Sequence, residues 1–573
     1  MKNLIFKIMR IVGTVLSFFN LLMFFALRPC WSGISSTLGY KGGSNTFLLI
    51  LPVIICVFLL LNLFADLILK HIFKDKRWPH ILFLSIGVIF FAAIMIVIAL
   101  GAIDYMRFVW PNFFVSLAIV AVIFLLYCLL FVYPNTPLKD NKLFKYGTLG
   151  LSIVISLGVL TNFTVNRITY HPVVYAVEDN YQIVFSTNCD STGWVEVGDK
   201  KYYDTYNGTT KTFTKVHKIE IPMNELDQAK RYTVHSQKTI YAGPFGGFLG
   251  RDVTQTVDFK PVNVDDGIQY LSFSDVHMNL SRTEETSRYV ENYDFLVLAG
   301  DLVSVVETFE DANFNNEVAY RITKGSIPVV YARGNHDVKG RYASELHKYV
   351  GAKGEDFYYT FYFKDIYGVV LDLGEDHDDD WWEYYGTAHY EEYHQKQIAF
   401  LEDEIAKKEY EHYPYHLVIS HIPIPFVNSR LNHENVKRKM TTLLNQMDVD
   451  MYLCGHQHQL MIFEPGLIEP LTELSYNPNY KNKKYGGYLT DFNFPSFMVS
   501  KPGLTFSDDT TLHGTKSQIG FFVDVDLDAK KERCHYLNSK GEKVDVMNMF
   551  YDKDYGKEIS IDLTTKKFSS ILG

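Results

Sequence analysis

The sequence predicts a multidomain chain with three parts: a transmembrane α-helical bundle, an all-β sandwich and an α/β domain. Apolar residues are concentrated in the first 165 positions, short segments of alternating polarity follow, and apolar strands then alternate with helical stretches. With 573 residues, the chain is also too long for one ordinary domain. The predicted domain boundaries are 1–168, 169–262 and 263–573.

The first part contains five apolar runs that are long enough to be read as membrane-spanning helices, because about 20 residues cross the hydrocarbon core. None shows the amphipathic stripe that is typical of a helix in a soluble fold. The runs lie approximately at residues 11–26, 47–69, 81–103, 113–132 and 146–165.

Lysine and arginine residues in the short loops predict the orientation of these helices. The basic residues gather before the first run, after the second and after the fourth, which places all three segments on the cytoplasmic side. With five spans, the chain beyond residue 165 lies on the opposite face. We therefore expect a multi-pass protein of the cell membrane, with the lipid bilayer as a partner and an extracytoplasmic catalytic domain.

The net charge of the chain is −10. A protein that binds a nucleic-acid backbone needs a basic face. We therefore expect no nucleic-acid polymer as a partner.

Residues 169–262 consist of short segments in which apolar and polar residues alternate, such as VVYAVEDNYQIVFST. Turn residues separate the segments at intervals of about 8 to 12 residues. This pattern predicts a small antiparallel β-sandwich of the fibronectin type III-like kind. No cluster of catalytic side chains occurs in it, so we expect a spacer or a wall beside the substrate.

From about residue 265, five apolar strands each end at side chains that can bind a metal ion. Because the carboxyl ends of strands in an α/β sheet meet at one edge, all five groups could lie together. Carboxylate and imidazole ligands suit manganese, iron, zinc or cobalt, and there are too many for one ion. The groups are Asp275-Val276-His277, Gly300-Asp301, Gly334-Asn335-His336-Asp337, His421 and Gly455-His456-Gln457-His458.

In this order, the five groups resemble the pattern of the calcineurin-like metallophosphoesterases: DxH, GD, GNH followed by Asp or Glu, a lone His, and GHxH. The resemblance covers roughly the second half of the chain. It implies a four-layer αββα sandwich that hydrolyses phosphate esters with two divalent metal ions, either manganese, iron or zinc.

The resemblance also implies a role for each residue of the pattern. Asp301 would bridge the two ions, a hydroxide shared between them would be the nucleophile, and His336 would be a catalytic residue that binds the phosphate. The other ligands would be Asp275, His277 and His458 for one ion, and Asn335, His421 and His456 for the other.

The sequence departs from many relatives at Ser304. In those relatives, this position holds a second aspartate, which orients the catalytic histidine. The hydroxyl of Ser304 cannot supply that carboxylate, so the partner of His336 is open. The preceding β-sandwich resembles that of the purple acid phosphatases, but these enzymes have a metal-binding tyrosine at the position of Ser304. Only their architecture is expected here.

Two features could contact the substrate. Arg333 lies beside the pattern and could bind a phosphate oxygen or form a surface salt bridge. Residues 374–389 form an acidic, aromatic stretch that could border the site. In it, Trp381 and Trp382 could stack on a nucleobase or sugar, or pack on the protein.

The sequence therefore predicts a membrane-anchored phosphoesterase with a two-metal site. One alternative is a nucleotidase or cyclic-nucleotide phosphodiesterase. An alternative of another class is a membrane sensor or binding protein with an inactive hydrolase domain, which would be expected to have lost metal ligands.

Overall fold

The structure is a computed structural model of the 573-residue chain. It describes residues 2–26, 57, 59, 61, 78–97, 106–129, 141–243, 246–428, 433–458, 460–466, 487–489, 491–500, 518–548 and 553–570. The chain divides into two compact units, Met1–Val165 and Asn166–Gly573.

The first unit is helical. Phe18, Leu21 and Phe24 of the first helix pack with Val120 of the third in an apolar cluster. Asn20 Nδ2 donates a hydrogen bond to the carbonyl of Gly87, 3.0 Å away, and so connects the first helix to the second. Among the described residues of this unit, the helices with assigned bounds are Lys2–Ala26, Trp78–Val97, Met106–Tyr127 and Lys142–Thr164.

The predicted transmembrane helical bundle is wrong for the part of the chain that the structure describes, because no helix there is long and apolar enough to cross a membrane. The prediction counted apolar residues over whole runs, and these counts include residues 98–103 and 130–132, which lie outside the described residues. The described parts of these two runs, 81–97 and 113–129, are shorter than the roughly 20 residues that cross the hydrocarbon core.

The run predicted at 47–69 lies outside the described residues, apart from positions 57, 59 and 61. The cell-membrane localisation, the extracytoplasmic catalytic domain and the lipid-bilayer partner all depended on the predicted spans. They stay predictions.

The second unit is built on a large sheet of 13 strands. Three neighbouring parallel strands, Ile268–Phe273, Phe295–Ala299 and Pro328–Ala332, form its centre. On one side the sheet continues through Gly520–Asp526, Lys531–Leu537, Ile559–Asp562 and Phe568–Ser570. On the other side it continues through Ile168–Val177, Asn180–Val197, Arg231–Gly243 and Gly246–Asp258, with Lys200–Tyr203 and Thr214–Pro222 paired to Asn180–Val197.

Residues 169–262 thus join the sheet that carries three of the five ligand groups. Strand Ile168–Val177 pairs in parallel with Pro328–Ala332, with Val174 opposite Pro328. Within the segment the strands pair antiparallel, as in Asn180–Val197 with Arg231–Gly243. Backbone hydrogen bonds of one sheet therefore connect residues 169–262 with the segment that follows them. The domain boundary predicted between residues 262 and 263 stays a prediction.

A small sheet of six strands faces the large one. A shared apolar core lies between the two sheets; it contains Tyr270 and Val297 from the large sheet and Leu417 and Leu453 from the small one. The strands of the small sheet, in order, are Tyr359–Phe363, Ile366–Leu371, Tyr415–Ser420, Met451–Cys454, Ser496–Val499 and Leu460–Phe463. Two-stranded ribbons pair Phe426–Asn428 with Gly487–Leu489, Met547–Asn548 with Lys553–Asp554, and Thr205–Tyr206 with Thr210–Lys211.

Helices cover the sheets and complete an α/β arrangement in layers. Ile398 and Leu401 of one helix and Met440 and Leu444 of another form a second core with the small sheet, because their apolar residues recur at helical spacing. The helices of this unit are Met223–Ala229, Leu280–Ser287, Phe309–Thr323, Tyr390–Lys407 and Glu434–Leu444, and the 3₁₀ turns are Ala343–Lys348, Trp382–Tyr384 and Glu409–His412.

Candidate metal centre

The five ligand groups lie where the sequence places them, directly after buried parallel strands. Three follow the neighbouring strands at the centre of the large sheet. Two follow Tyr415–Ser420 and Met451–Cys454, which are neighbours in the small sheet. Because both sheets contribute the carboxyl ends of adjacent strands, the side chains converge between them.

One group of possible metal ligands consists of Asp275, His277 and His458. Nε2 of His458 lies 3.2 Å from Oδ1 of Asp275 and 3.0 Å from Nε2 of His277. Nε2 of His277 lies 3.9 Å from the same carboxylate oxygen. These three atoms are close enough together to bind one ion.

A second group consists of Asp301, His421 and His456. Nε2 of His421 lies 3.1 Å from Oδ2 of Asp301. The same oxygen is 3.7 Å from Nε2 of His277, which belongs to the first group. Asp301 therefore lies within reach of both groups.

Asn335 joins the second group through His456. Its Oδ1 lies 3.0 Å from Nδ1 of His456. Its Nδ2 donates to Oε1 of Glu375 at 3.5 Å, which turns the amide oxygen towards the histidine. All seven residues predicted as metal ligands are thus brought together by the fold.

Two atoms of this cluster fit a bound cation. Oδ1 of Asp275 and Nε2 of His421 are buried and make no well-oriented hydrogen bond within the described residues. A buried polar atom without a well-oriented hydrogen bond costs free energy, which a metal ion would remove. Imidazole nitrogens with carboxylate and amide oxygens form a donor set that suits manganese, iron or zinc.

The backbone is strained at the ligand positions. Asp275, His277, Asp301, His456 and His458 all have positive φ, between 42° and 78°, although none is glycine. This left-handed conformation is uncommon for residues with a side chain, and such strain gathers at functional sites.

Two positions of the motifs require glycine, because neighbouring residues lie too close for a Cβ atom. A Cβ atom on Gly334 would lie 2.2 Å from Oδ1 of Asp301, and one on Gly455 would lie 1.9 Å from Oγ of Ser274. Both distances are far shorter than a van der Waals contact. Any side chain at these positions would displace a residue of the cluster.

The clustered charges shift the pKa values of the buried groups. Burial raises the pKa of Asp301, but the imidazoles of His421 and His336 outweigh it and hold this pKa well below its usual range. Burial lowers the pKa of His421, but the carboxylates of Asp301 and Asp275 raise it to about 10. Burial together with His336 lowers the pKa of His277.

His336 lies at the border of the cluster and is partly exposed. Its Nδ1 contacts the backbone carbonyl of Ser304 at 2.8 Å, and its Nε2 lies 3.9 Å from Oδ2 of Asp301. Ser304 thus orients the ring through its main chain, although its side chain lacks the carboxylate that many relatives have. Burial lowers the pKa of His336.

Asp337, the last residue of the GNHD group, holds the backbone of Asp301 in place. Its Oδ2 accepts hydrogen bonds from the backbone nitrogens of Asp301, at 3.0 Å, and Gly334, at 2.9 Å. Burial and the nearby Asp301 raise the pKa of Asp337 to about 7. Its side chain fixes the loops that present the ligands.

The three residues expected to bind substrate have different surroundings in the structure. Arg333 is largely buried, and its Nη2 lies 2.6 Å from Oδ2 of Asp372, so its contact is an internal salt bridge. The ring of Trp381 packs at a tilt of 38° against the ring of His377, with centroids 4.0 Å apart. Trp382 is 66% exposed. Substrate binding by these three residues stays a prediction.

Two further residues contact the cluster and were not predicted from the sequence. Ser500 donates to Oδ2 of Asp275 at 2.5 Å, and Asp376 lies 2.8 Å from Nε2 of His456. Asp376 lies in the acidic stretch 374–389, which gave a weak signal. Ser500 has no motif that could have identified it.

The geometry defines a cluster of possible metal ligands at the junction of two sheets. Residues 268–460 match the family model of the calcineurin-like phosphoesterases, which confirms the resemblance in the motifs. Residues 268–460 thus form a calcineurin-like phosphoesterase domain, which supports a metal-dependent phosphoesterase. No curated protein matches the sequence.

Among solved structures, the chain is similar to a purple acid phosphatase, PPD1, from yellow lupin (Lupinus luteus) seeds, with 13% identity, a TM-score of 0.44, and 69% of this chain and 74% of that chain covered. It is similar to PhoD with 10% identity, a TM-score of 0.40, and coverage of 71% and 92%. It is also similar to GAP50, the anchor in the inner membrane complex of Plasmodium, with 14% identity, a TM-score of 0.31, and coverage of 48% and 87%.

Proposed function

We propose that the chain hydrolyses phosphate esters at a site for two divalent metal ions, each manganese, iron or zinc. Asp275, His277 and His458 bind one ion, and Asn335, His421 and His456 bind the other. The position of Asp301 carries the proposal, because its Oδ2 lies 3.7 Å from His277 of the first group and 3.1 Å from His421 of the second.

When bound, the two ions supply Lewis acidity towards the phosphate and ease the deprotonation of the attacking water. The chain supplies the geometry. Asp301 keeps the two ligand groups together, and Asp337 fixes the backbone of Asp301. The pKa values of Asp275 and Asp301 are held below their ordinary range, so both carboxylates are ionised at neutral pH.

His336 acts on the substrate. The Ser304 carbonyl accepts a hydrogen bond from Nδ1–H of His336, so Nε2 faces the cluster. From there Nε2 contacts a phosphate oxygen, and its protonated form gives its proton to the leaving oxygen. The short link through Ser304 replaces the carboxylate of other relatives.

A nucleotide is the second candidate for the substrate, and the loop 374–389 favours it. Tyr384 donates to Glu375 at 3.2 Å, and Glu375 accepts a hydrogen bond from Asn335. The loop is thus tied to the cluster, while the rings of Trp382 and Tyr385 are exposed and available for stacking. Trp382→Ala should then raise KM for nucleotides and leave KM for a small chromogenic ester unchanged.

The experiment that tests the main proposal uses the full chain, stripped of metal and reloaded with manganese, iron or zinc. A chromogenic phosphomonoester and a phosphodiester are the substrates. We expect metal-dependent turnover that is lost in Asp301→Asn and kept in Asp380→Asn, which makes the same chemical change at an exposed residue. Turnover that survives in Asp301→Asn would contradict the two-metal site, and no turnover with two ions bound would favour a binding role.

A further inference from the structure

The imidazole of His456 is held between two oxygen atoms, one at each ring nitrogen. Asp376 Oδ2 lies 2.8 Å from Nε2, and Asn335 Oδ1 lies 3.0 Å from Nδ1. Asp376 lies 80 positions before His456 in the sequence, outside the five motifs. The fold alone brings the two side chains together.

The hydrogen-bond network assigns a donor role to one ring nitrogen. An ionised carboxylate only accepts hydrogen bonds, so Nε2 of His456 donates to Asp376. Nδ2 of Asn335 donates to Glu375, so the amide oxygen of Asn335 points to His456. A histidine that binds a metal ion is neutral, and in that form the lone pair of Nδ1 faces the amide oxygen of Asn335.

In the neutral form of His456, two acceptors face each other at 3.0 Å with no proton between them. Such a pair is unfavourable in a buried site unless a cation lies beside both atoms. The orientation that Asp376 gives to His456 is thus the one that metal binding requires.

The position of Asp376 is itself determined by its neighbours. Its backbone nitrogen donates to Oε2 of Glu375 at 3.3 Å, and Glu375 also forms an ion pair with Lys339. Its second carboxylate oxygen lies 3.8 Å from Nε2 of His377. Asp376 and Asn335 therefore both donate a hydrogen bond to Glu375. Glu375 thus holds the two residues that lie on either side of the His456 ring.

We propose that Asp376 is a positioning residue that holds His456 in the tautomer and orientation whose Nδ1 binds the second metal ion. The proposal rests on the proposed function of this site. A carboxylate behind a metal-binding histidine typically changes metal affinity by about 10- to 100-fold.

The test is a titration of the full, metal-free chain with manganese, in which free Mn²⁺ is measured by electron paramagnetic resonance. In Asp376→Asn we expect one of the two sites to bind Mn²⁺ about 10- to 100-fold more weakly. The matched control is Asp379→Asn in the same loop. Oδ1 of Asp379 accepts from the backbone nitrogen of Tyr390 at 2.7 Å, at the start of a helix, so this variant tests loop disruption and should bind like the wild type.

A double variant shows whether Asp376 acts through His456. Asp376→Asn should have no further effect on Mn²⁺ affinity in a His456→Ala background, because the residue it positions is gone. A further loss in that background, or an equal loss in Asp379→Asn, would overturn the positioning role.

Nitrogen NMR of ¹⁵N-histidine-labelled, metal-free protein separates this proposal from the proposed function. The wild type should show His456 protonated at Nε2, and Asp376→Asn should show a mixture of tautomers. A tautomer change with no Mn²⁺ binding in the wild type would support the positioning contact and contradict the metal site. Normal Mn²⁺ binding with an unchanged tautomer in Asp376→Asn would overturn the positioning role alone.

Discussion

Glu532 should make the stability of the second unit depend on pH. It is fully buried, and its Oε1 accepts a hydrogen bond from the hydroxyl of Tyr415 at 2.9 Å. Oε2 has no hydrogen-bond partner among the described residues. Burial raises the pKa of Glu532 from its ordinary value of 4.5 to about 8, with a smaller contribution in the same direction from Asp450.

The sign follows from proton binding. Between pH 4.5 and about 8 the folded chain keeps a proton on Glu532 that the unfolded chain has lost, so the free energy of unfolding falls as pH rises. Each pH unit in this window costs about 1.4 kcal/mol, which amounts to roughly 3 kcal/mol at pH 7. Above the folded pKa the cost levels off.

Glu532→Gln removes this cost, because the neutral amide has nearly the same shape and its oxygen can still accept from Tyr415. We expect the free energy of unfolding of the variant, relative to wild type, to rise by about 1.4 kcal/mol per unit between about pH 5.5 and 7.5. The assay is urea denaturation followed by tryptophan fluorescence. Glu291→Gln, at an exposed carboxylate, is the control.

A stability difference that stays constant over this pH range would refute the reasoning. Glu532 would then be ionised in the folded chain, with a cation supplied by the nearby Lys566. Lys566 already forms an ion pair with Asp450. Its charge is therefore compensated, and we expect Glu532 to keep its proton.

Three further predictions concern the site and its support. His336→Asn should lower kcat by about 10²- to 10⁴-fold with unchanged metal content, measured by steady-state kinetics and elemental analysis. Gly334→Ala places a Cβ 2.2 Å from Oδ1 of Asp301 and should cost about 1–3 kcal/mol of stability and weaken metal binding, measured by urea denaturation and Mn²⁺ titration. Lys218→Met leaves the partly buried carbonyls of His347 and Val350 without the lysine as donor and should cost about 1–3 kcal/mol with kcat unchanged, measured by urea denaturation and kinetics.

The arrangement of the ligand groups could be predicted because each signal is local. Asp275 and His277 directly follow a buried strand, and so does Asp301. The rule that strand ends share one edge of a sheet then brings distant motifs together without knowledge of side-chain contacts. The family and the enzyme class follow from the same motifs, and the family model confirms both.

The orientation of the side chains could not be predicted, because it depends on contacts between distant residues and on main-chain atoms. Ser304 was identified as lacking a carboxylate, but its carbonyl oxygen is present whatever its side chain is. Asp376 reaches His456 only through the fold of its loop.

The helical part of the prediction failed for a different reason. A count of apolar residues measures how hydrophobic a stretch is, but it does not determine where a helix begins and ends. Lys2–Ala26 includes the charged residues Lys2, Lys7 and Arg10, which precede the apolar run. Helix ends depend on local backbone contacts that hydropathy does not contain.

The continuous large sheet limits how the protein can be divided. A fragment that begins at residue 263 would lose Ile168–Val177 and expose the unpaired side of Pro328–Ala332. That strand leads directly to Asn335 and His336, so the new edge would lie next to the site. Exposed strand edges pair with other chains and promote aggregation. An expression fragment for crystallisation or directed evolution should therefore begin no later than Asn166, the first residue of the second unit.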